Sequence, residues 1–257
     1  MHRYFLEISY KGSNYSGFQS QHNANTIQAE VEKALEILLK RKVILTGSSR
    51  TDAGVHALQN YFHFDESMQF QTHNRLGDWF PLQYKLNAIL PGDIAVNKIH
   101  EVSVESHCRF DAVSRDYRYY IYQHKNPFLS DRAFYFPYKL DFEKMQQAAG
   151  VIKEYDDFTS FSKRNTQVKT FVCKIEDSRW EREDNCLVYN VKSNRFLRGM
   201  VRALTATLLQ VGRGKLSLDE FRAIIESKDC TKASFAVPAH GLFLISVQFP
   251  PDLFKRK

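Results

Sequence analysis

Two stretches of this 257-residue chain carry the same order of hydrophobic periods, and that order limits the fold more than any other feature. In the first, Tyr4, Leu6, Ile8 and Tyr10 alternate with Arg3, Phe5, Glu7 and Ser9, the period of a half-buried strand, until Gly12-Ser13-Asn14 breaks it. Ile27, Val31, Ala34, Leu35 and Leu38 then recur at helical spacing behind Asn25-Thr26, and Gln28 is placed to form a capping box with Asn25. A helix is therefore predicted to about Lys40. Val43-Ile44-Leu45-Thr46 reads as a short strand, Tyr61-Phe62-His63-Phe64 as another, 75–87 as a helix stopped before Pro91-Gly92, and 94–99 as a strand.

The second stretch begins with a strand over 116–124 that directs Tyr117, Tyr119, Ile121 and Gln123 to one side. A helix follows over 141–153, then a hairpin pair at 168–180 and 185–193. An apolar helix over 196–211 ends at Gly212, Ser217 caps a further helix to 227, and a strand over 242–249 closes the order. Each stretch approximates β-α-β-β-α-β, so the expected class is α+β. Two ferredoxin-like halves, 1–105 and 106–257, would join in one large mixed, mainly antiparallel sheet, with helices packed on one face and the other left free for a ligand. The halves share element order without visible sequence similarity.

A 43% hydrophobic content is enough for a sizeable core. Lys and Arg number 36 against 29 Asp and Glu, a net charge of +7, so the surface attracts polyanions and nucleic acid is the first partner to consider. No run approaches the roughly 20 apolar residues of a membrane span. An acid at Glu7 within strand alternation does not fit a secretory leader, so a cytoplasmic protein is expected. Cys108, Cys173, Cys186 and Cys230 lie far apart, as reduced thiols rather than disulfides or a zinc site.

The segment Gly47-Ser48-Ser49-Arg50-Thr51-Asp52-Ala53-Gly54-Val55-His56-Ala57 has the composition of a working loop between two strands. Gly54 lets the backbone turn beside Asp52, and Arg50 is close enough to keep the carboxylate ionised if the loop folds the two together. An ionised Asp serves as nucleophile, general base or metal ligand; a plain Asx-type turn is the alternative. His56 and His63 with Asp65 have spacing that suits neither a helical nor a compact strand metal site.

The string from Arg50 to Ala57 resembles the signature loop of TruA-type tRNA pseudouridine synthases. The likeness continues at Tyr10-Lys11-Gly12 with Tyr15-Ser16-Gly17-Phe18-Gln19, at Arg115-Asp116-Tyr117-Arg118-Tyr119, and at Asp157-Phe158-Thr159-Ser160-Phe161. It then takes in Phe196-Leu197-Arg198-Gly199-Met200-Val201-Arg202 and Ala239-His240-Gly241-Leu242-Phe243-Leu244, in order along essentially the whole chain. Two departures stand out: Ser106-His107-Cys108-Arg109-Phe110 replaces a segment more often F-H-A-R-F, and Gly199 occupies a place where bulkier or polar residues are common.

The resemblance implies isomerisation of a uridine already in RNA, within the anticodon stem-loop of tRNA, by a homodimer whose free sheet face forms an RNA-binding cleft. The C1′–N1 bond breaks, the base turns, and C5 bonds to C1′, with no cofactor and no metal, in keeping with the lack of dinucleotide, P-loop and metal signatures. It makes Asp52 the essential carboxylate, by attack on the sugar or by removal of a sugar proton. Arg50 matches the arginine that displaces the target base, Tyr117 the tyrosine that stacks on the uracil, Arg202 the arginine that pairs with the catalytic Asp, and Leu242 the apolar floor of the uracil pocket. Read without the resemblance, Tyr117 and Leu242 are core residues and Arg50 a surface ion-pair member.

His56 is left with a structural or RNA-contact role. Lys163-Arg164 with Lys169, Arg195 with Arg198, Arg213 with Lys215, and Lys255-Arg256-Lys257 are the expected contacts to tRNA phosphates; a solvated face, or a disordered tail for the last, is the alternative. Two rival functions remain: an RNA-binding protein without catalysis, against which Asp52, Arg50, Tyr117 and Arg202 together argue, and a metal-dependent hydrolase of RNA, for which the carboxylates lack ligand spacing.

Overall fold

Among the described residues the fold is α+β, with five α-helices and an open, mixed, mostly antiparallel nine-stranded sheet, as the element order predicts. The computed structural model describes residues 1–67, 80–164 and 168–254. The first positions of the helix expected over 75–87, and the run Lys255-Arg256-Lys257, lie outside them. Among the described residues no helix is long and apolar enough to cross a membrane. The chain forms two compact units, Met1–Val113 together with the chain from Leu244 onward, and Ser114–Phe243.

In the first unit β1 (His2–Tyr10) lies between β3 (His56–Glu66) and β4 (Ile94–Val102), antiparallel to both. The expected half-buried pattern of β1 is not what forms. Phe5 is fully buried as well as Tyr4 and Leu6, because Phe249, beyond the end of the last strand, β9 (Leu242–Gln248), packs on it at 5.7 Å and on Tyr61 at 5.0 Å. Val113 N–H donates to Gln248 O at 2.8 Å. These long-range contacts carry the end of the chain back to the first unit, whereas the sequence reading divides at 105/106 and keeps that strand with the second half.

The helix α1 (Ile27–Leu39) starts one residue later than a capping box at Asn25 requires, because Thr26 Oγ1 accepts the Ala29 N–H at 3.3 Å. Gln28, expected in that box, donates instead to Leu45 O at 2.9 Å, while Leu45 N–H donates to Glu32 Oε1 at 2.9 Å. Side chains of α1 therefore occupy the main chain that the predicted strand at Val43-Ile44-Leu45-Thr46 needs for a ladder. Only β2 (Thr46–Gly47) pairs with β3. The second helix, α2, spans Phe80–Ile89.

Cys108 is buried, with Sγ 3.1 Å from His63 Nδ1 and donating to Thr46 O at 3.2 Å, so the departure at 106–110 is absorbed by packing. Burial is the chief cause holding His63 neutral, with its pKa lowered to about 4. All four cysteines are free thiols.

In the second unit β5 (Ser114–Tyr122) and β7 (Ile175–Glu183) flank β8 (Cys186–Ser193), antiparallel, and β6 (Phe134–Tyr135) adds in parallel at the end of β5. The helix α5 (Leu218–Glu226) is capped by Ser217, as expected, in a box completed by Glu220, and α3 (Phe142–Ile152) is capped by Asp141.

Two boundaries move. Cys173 N–H donates to Asp156 O and Phe158 N–H to Phe171 O, so 171–173 pairs with 156–158 and β7 begins only at Ile175. The apolar helix α4 spans Met200–Gly212 rather than starting at 196, because Gly199 at φ 75° turns the chain just before it. A glycine at 199 suits this turn, and a Cβ there would lie 3.1 Å from the Lys163 stem.

Candidate active site

Asp52 stands half-exposed on a loop whose main chain is held on both sides. Before it, Asn60 Nδ2 donates to Ser49 O at 2.8 Å, and Phe18 N–H to Thr51 O at 3.1 Å. After it, Val55 N–H closes a turn on Asp52 O at 3.2 Å across Gly54, which takes φ 80°. Gly12 N–H then donates to His56 Nδ1 at 3.2 Å. Thr51 Oγ1 lies 2.8 Å from Tyr10 OH, which also accepts from Asn60 Nδ2 at 3.2 Å.

The Tyr10-to-Phe18 motif is thus the clamp of the Asp52 loop. Its glycines admit the close approach: a Cβ on Gly12 would fall 2.0 Å from Val55 O, and Gly17, at φ 110°, faces Thr51 O. Phe18 seals the far side by stacking on Phe62 at 4.4 Å and 8°. Arg50 is exposed in the same loop. His56 is only 1% exposed and holds the loop from within. Sequence reasoning did not single out Asn60, which is one of two adjacent amides, with Gln59, in a strand rich in aromatic residues.

In the second unit Tyr117 is 8% exposed and packs edge-on against Phe196 at 5.1 Å. Arg202, half-buried on α4, donates through Nε and Nη2 to Val237 O at 3.1 and 2.7 Å, and Tyr119 OH donates to Pro238 O at 2.7 Å. Both fix the segment leading to Leu242, which is buried at the start of β9. Gly241 is required there, since a Cβ would lie 2.7 Å from Tyr119 Cζ. Arg202, Val237, Pro238 and His240 border a pocket of about 630 Å³ with Tyr122 and Phe134 on its aromatic side.

The structure brings three of the cationic candidates together. Lys163 N–H donates to Arg198 O at 3.0 Å, and Arg164 follows Lys163 beside a smaller pocket of about 320 Å³. Arg164, Lys169 and Arg198 are exposed and Arg195 half-exposed. Among the described residues no group of three or more His, Cys, Asp or Glu is arranged to hold a metal ion.

Comparison with known proteins places the chain, by class, among RNA-modifying isomerases. A family profile described as tRNA pseudouridine synthase matches residues 8–111 and 155–250. A tRNA pseudouridine synthase A of Parabacteroides distasonis is 47% identical over 254 residues, covering 99% of this chain and 98% of its own. Proteins of the same name from Bacteroides thetaiotaomicron and Staphylococcus aureus are 43% and 40% identical, over 100% and 94% of this chain and 94% and 89% of theirs. The chain belongs to the tRNA pseudouridine synthase family.

Proposed function

We propose that this enzyme converts uridines of the tRNA anticodon stem-loop to pseudouridine, with Asp52 as the reacting carboxylate. The observation that carries the reading is the Asp52 loop, an eight-residue signature held rigid by main-chain bonds on both sides of the acid. Asp52 either bonds to C1′ as the C1′–N1 bond breaks, that ester bond breaking in turn as C5 bonds to C1′, or it removes a sugar proton to help the base leave and returns it as C5 bonds to C1′; in both routes the proton lost from C5 is balanced by the one gained at N1. Arg50, exposed beside Asp52, fills the space of the displaced base. Tyr117 stacks on the uracil, Leu242 supplies its apolar floor, and Arg202 balances the carboxylate charge. His56 contributes by holding the loop, and Lys163, Arg164, Lys169, Arg195 and Arg198 take phosphates. The location that fits this substrate is the cytoplasm.

An unmodified tRNA transcript incubated with the protein in EDTA is expected to gain pseudouridine in the anticodon arm, read position by position. Binding without conversion would leave an RNA-binding protein and withdraw these catalytic roles. The enzyme acts as a homodimer in this proposal, so light scattering at micromolar concentration should give twice the 30.0 kDa chain mass; a single-chain mass would refute it.

A further inference from the structure

The end of α4 comes unusually close to the chain before α3. A Cβ built on Gly212 would lie 2.6 Å from Met145 Sδ and 3.1 Å from Leu140 Cδ2, and Asp141 N–H donates to Gly212 O at 2.8 Å. This approach sets the next residue, Arg213, over Tyr138, with the guanidinium carbon 4.0 Å from the ring centroid. Tyr138 is the outermost of three rings in file, Phe134, Phe136 and Tyr138, with centroids 5.4 and 4.9 Å apart. Its main chain is tied down by Gln123 Nε2, which donates to Tyr138 O at 2.6 Å.

Tyr138 is nonetheless 48% exposed. Lys139 next to it in the chain, Arg213 on its face and Lys215 two residues beyond Arg213 are exposed too, and none has an ion-pair partner among the described residues. The nearby Asp141 carboxylate is engaged by the α3 cap and by Lys144 at 3.7 Å.

A rigid ring with a guanidinium laid on it, rimmed by uncompensated cations, does not suit a second copy of this chain or an apolar protein face, since either would bury like charges unpaired. It suits single-stranded nucleic acid, whose bases stack on aromatic and guanidinium planes while its phosphates take the cations. We propose that Tyr138 and Arg213 form a stacking platform for an unpaired nucleotide of the bound RNA, with Lys139 and Lys215 on the flanking phosphates. The inference rests on the tRNA reading above. It adds a base contact at a place where the sequence offered only phosphate contacts.

The test measures tRNA binding and pseudouridine formation by the full chain carrying Tyr138→Leu, Tyr138→Phe or Arg213→Lys, with circular dichroism and light scattering on each. Tyr138→Leu should weaken binding and raise KM together, roughly 5- to 100-fold, with kcat and the salt slope of binding unchanged, as expected for loss of one stacked base. Tyr138→Phe, which keeps the ring, should restore binding, and Arg213→Lys should lose affinity while keeping the salt slope. Unchanged binding in Tyr138→Leu overturns the platform. So does a loss that comes with a change in solution mass, which would assign the surface to a second copy of the chain. If wild-type protein binds tRNA without converting it, the enzymatic reading fails, and the binding measurements still decide the platform.

Discussion

Asp52→Asn is expected to lower turnover by at least about a thousandfold and to leave tRNA binding within about threefold of wild type. The amide keeps the shape of the side chain and removes its charge, so it can neither attack C1′ nor take a proton. The loop should not move, because its clamps act through main-chain atoms of Ser49, Thr51, Asp52 and Val55 and through the side chains of Thr51 and His56. Single-turnover conversion of a tRNA transcript at saturating enzyme measures the effect free of binding. Turnover in this variant near the wild-type rate would assign the reaction to another residue.

Gly12→Ala should have the next largest effect, although Gly12 carries no chemistry. Its new methyl would stand 2.0 Å from Val55 O and 2.7 Å from Val55 C, a collision with main chain that no rotamer change relieves. Relief requires β1 and the loop to part, at the expense of the Gly12 N–H bond to His56. The expected cost is about 3 kcal/mol of stability, a fall in melting temperature of roughly 6–12 °C for a chain of this size. Displacing Asp52 by about 1 Å should also reduce kcat by about a hundredfold even below the melting range. A variant with normal melting and normal kcat would show that the loop does not depend on this clamp.

Much of the fold was legible because the signals are local. The cap Ser217, the apolar spacing of α1 and the alternation of β5 each report an element from within a few residues. The Asp52 loop was legible because its residues are contiguous. Its clamp was not: Tyr10, Gly12 and Phe18 stood in the sequence as a second motif with no stated purpose, and Asn60 was invisible, since hydrogen bonds spanning 11 to 50 residues leave no period to read.

By itself the sequence determined the class of fold, the order of its elements, the loop that carries the acid and the family to which the chain belongs. Tertiary structure decided which predicted segments kept their backbone hydrogen bonds for a ladder. Leu45 gave its main chain to Gln28 and Glu32, and Phe171 and Cys173 gave theirs to Phe158 and Asp156. It also decided that β1 is buried on both faces and that the chain end returns to the first unit, through Phe249 on Phe5 and Tyr61. The physical reason is common to all of these. Periodicity records which face a residue prefers to bury, whereas the choice of partner for a backbone group or a ring is made by whatever distant segment arrives beside it.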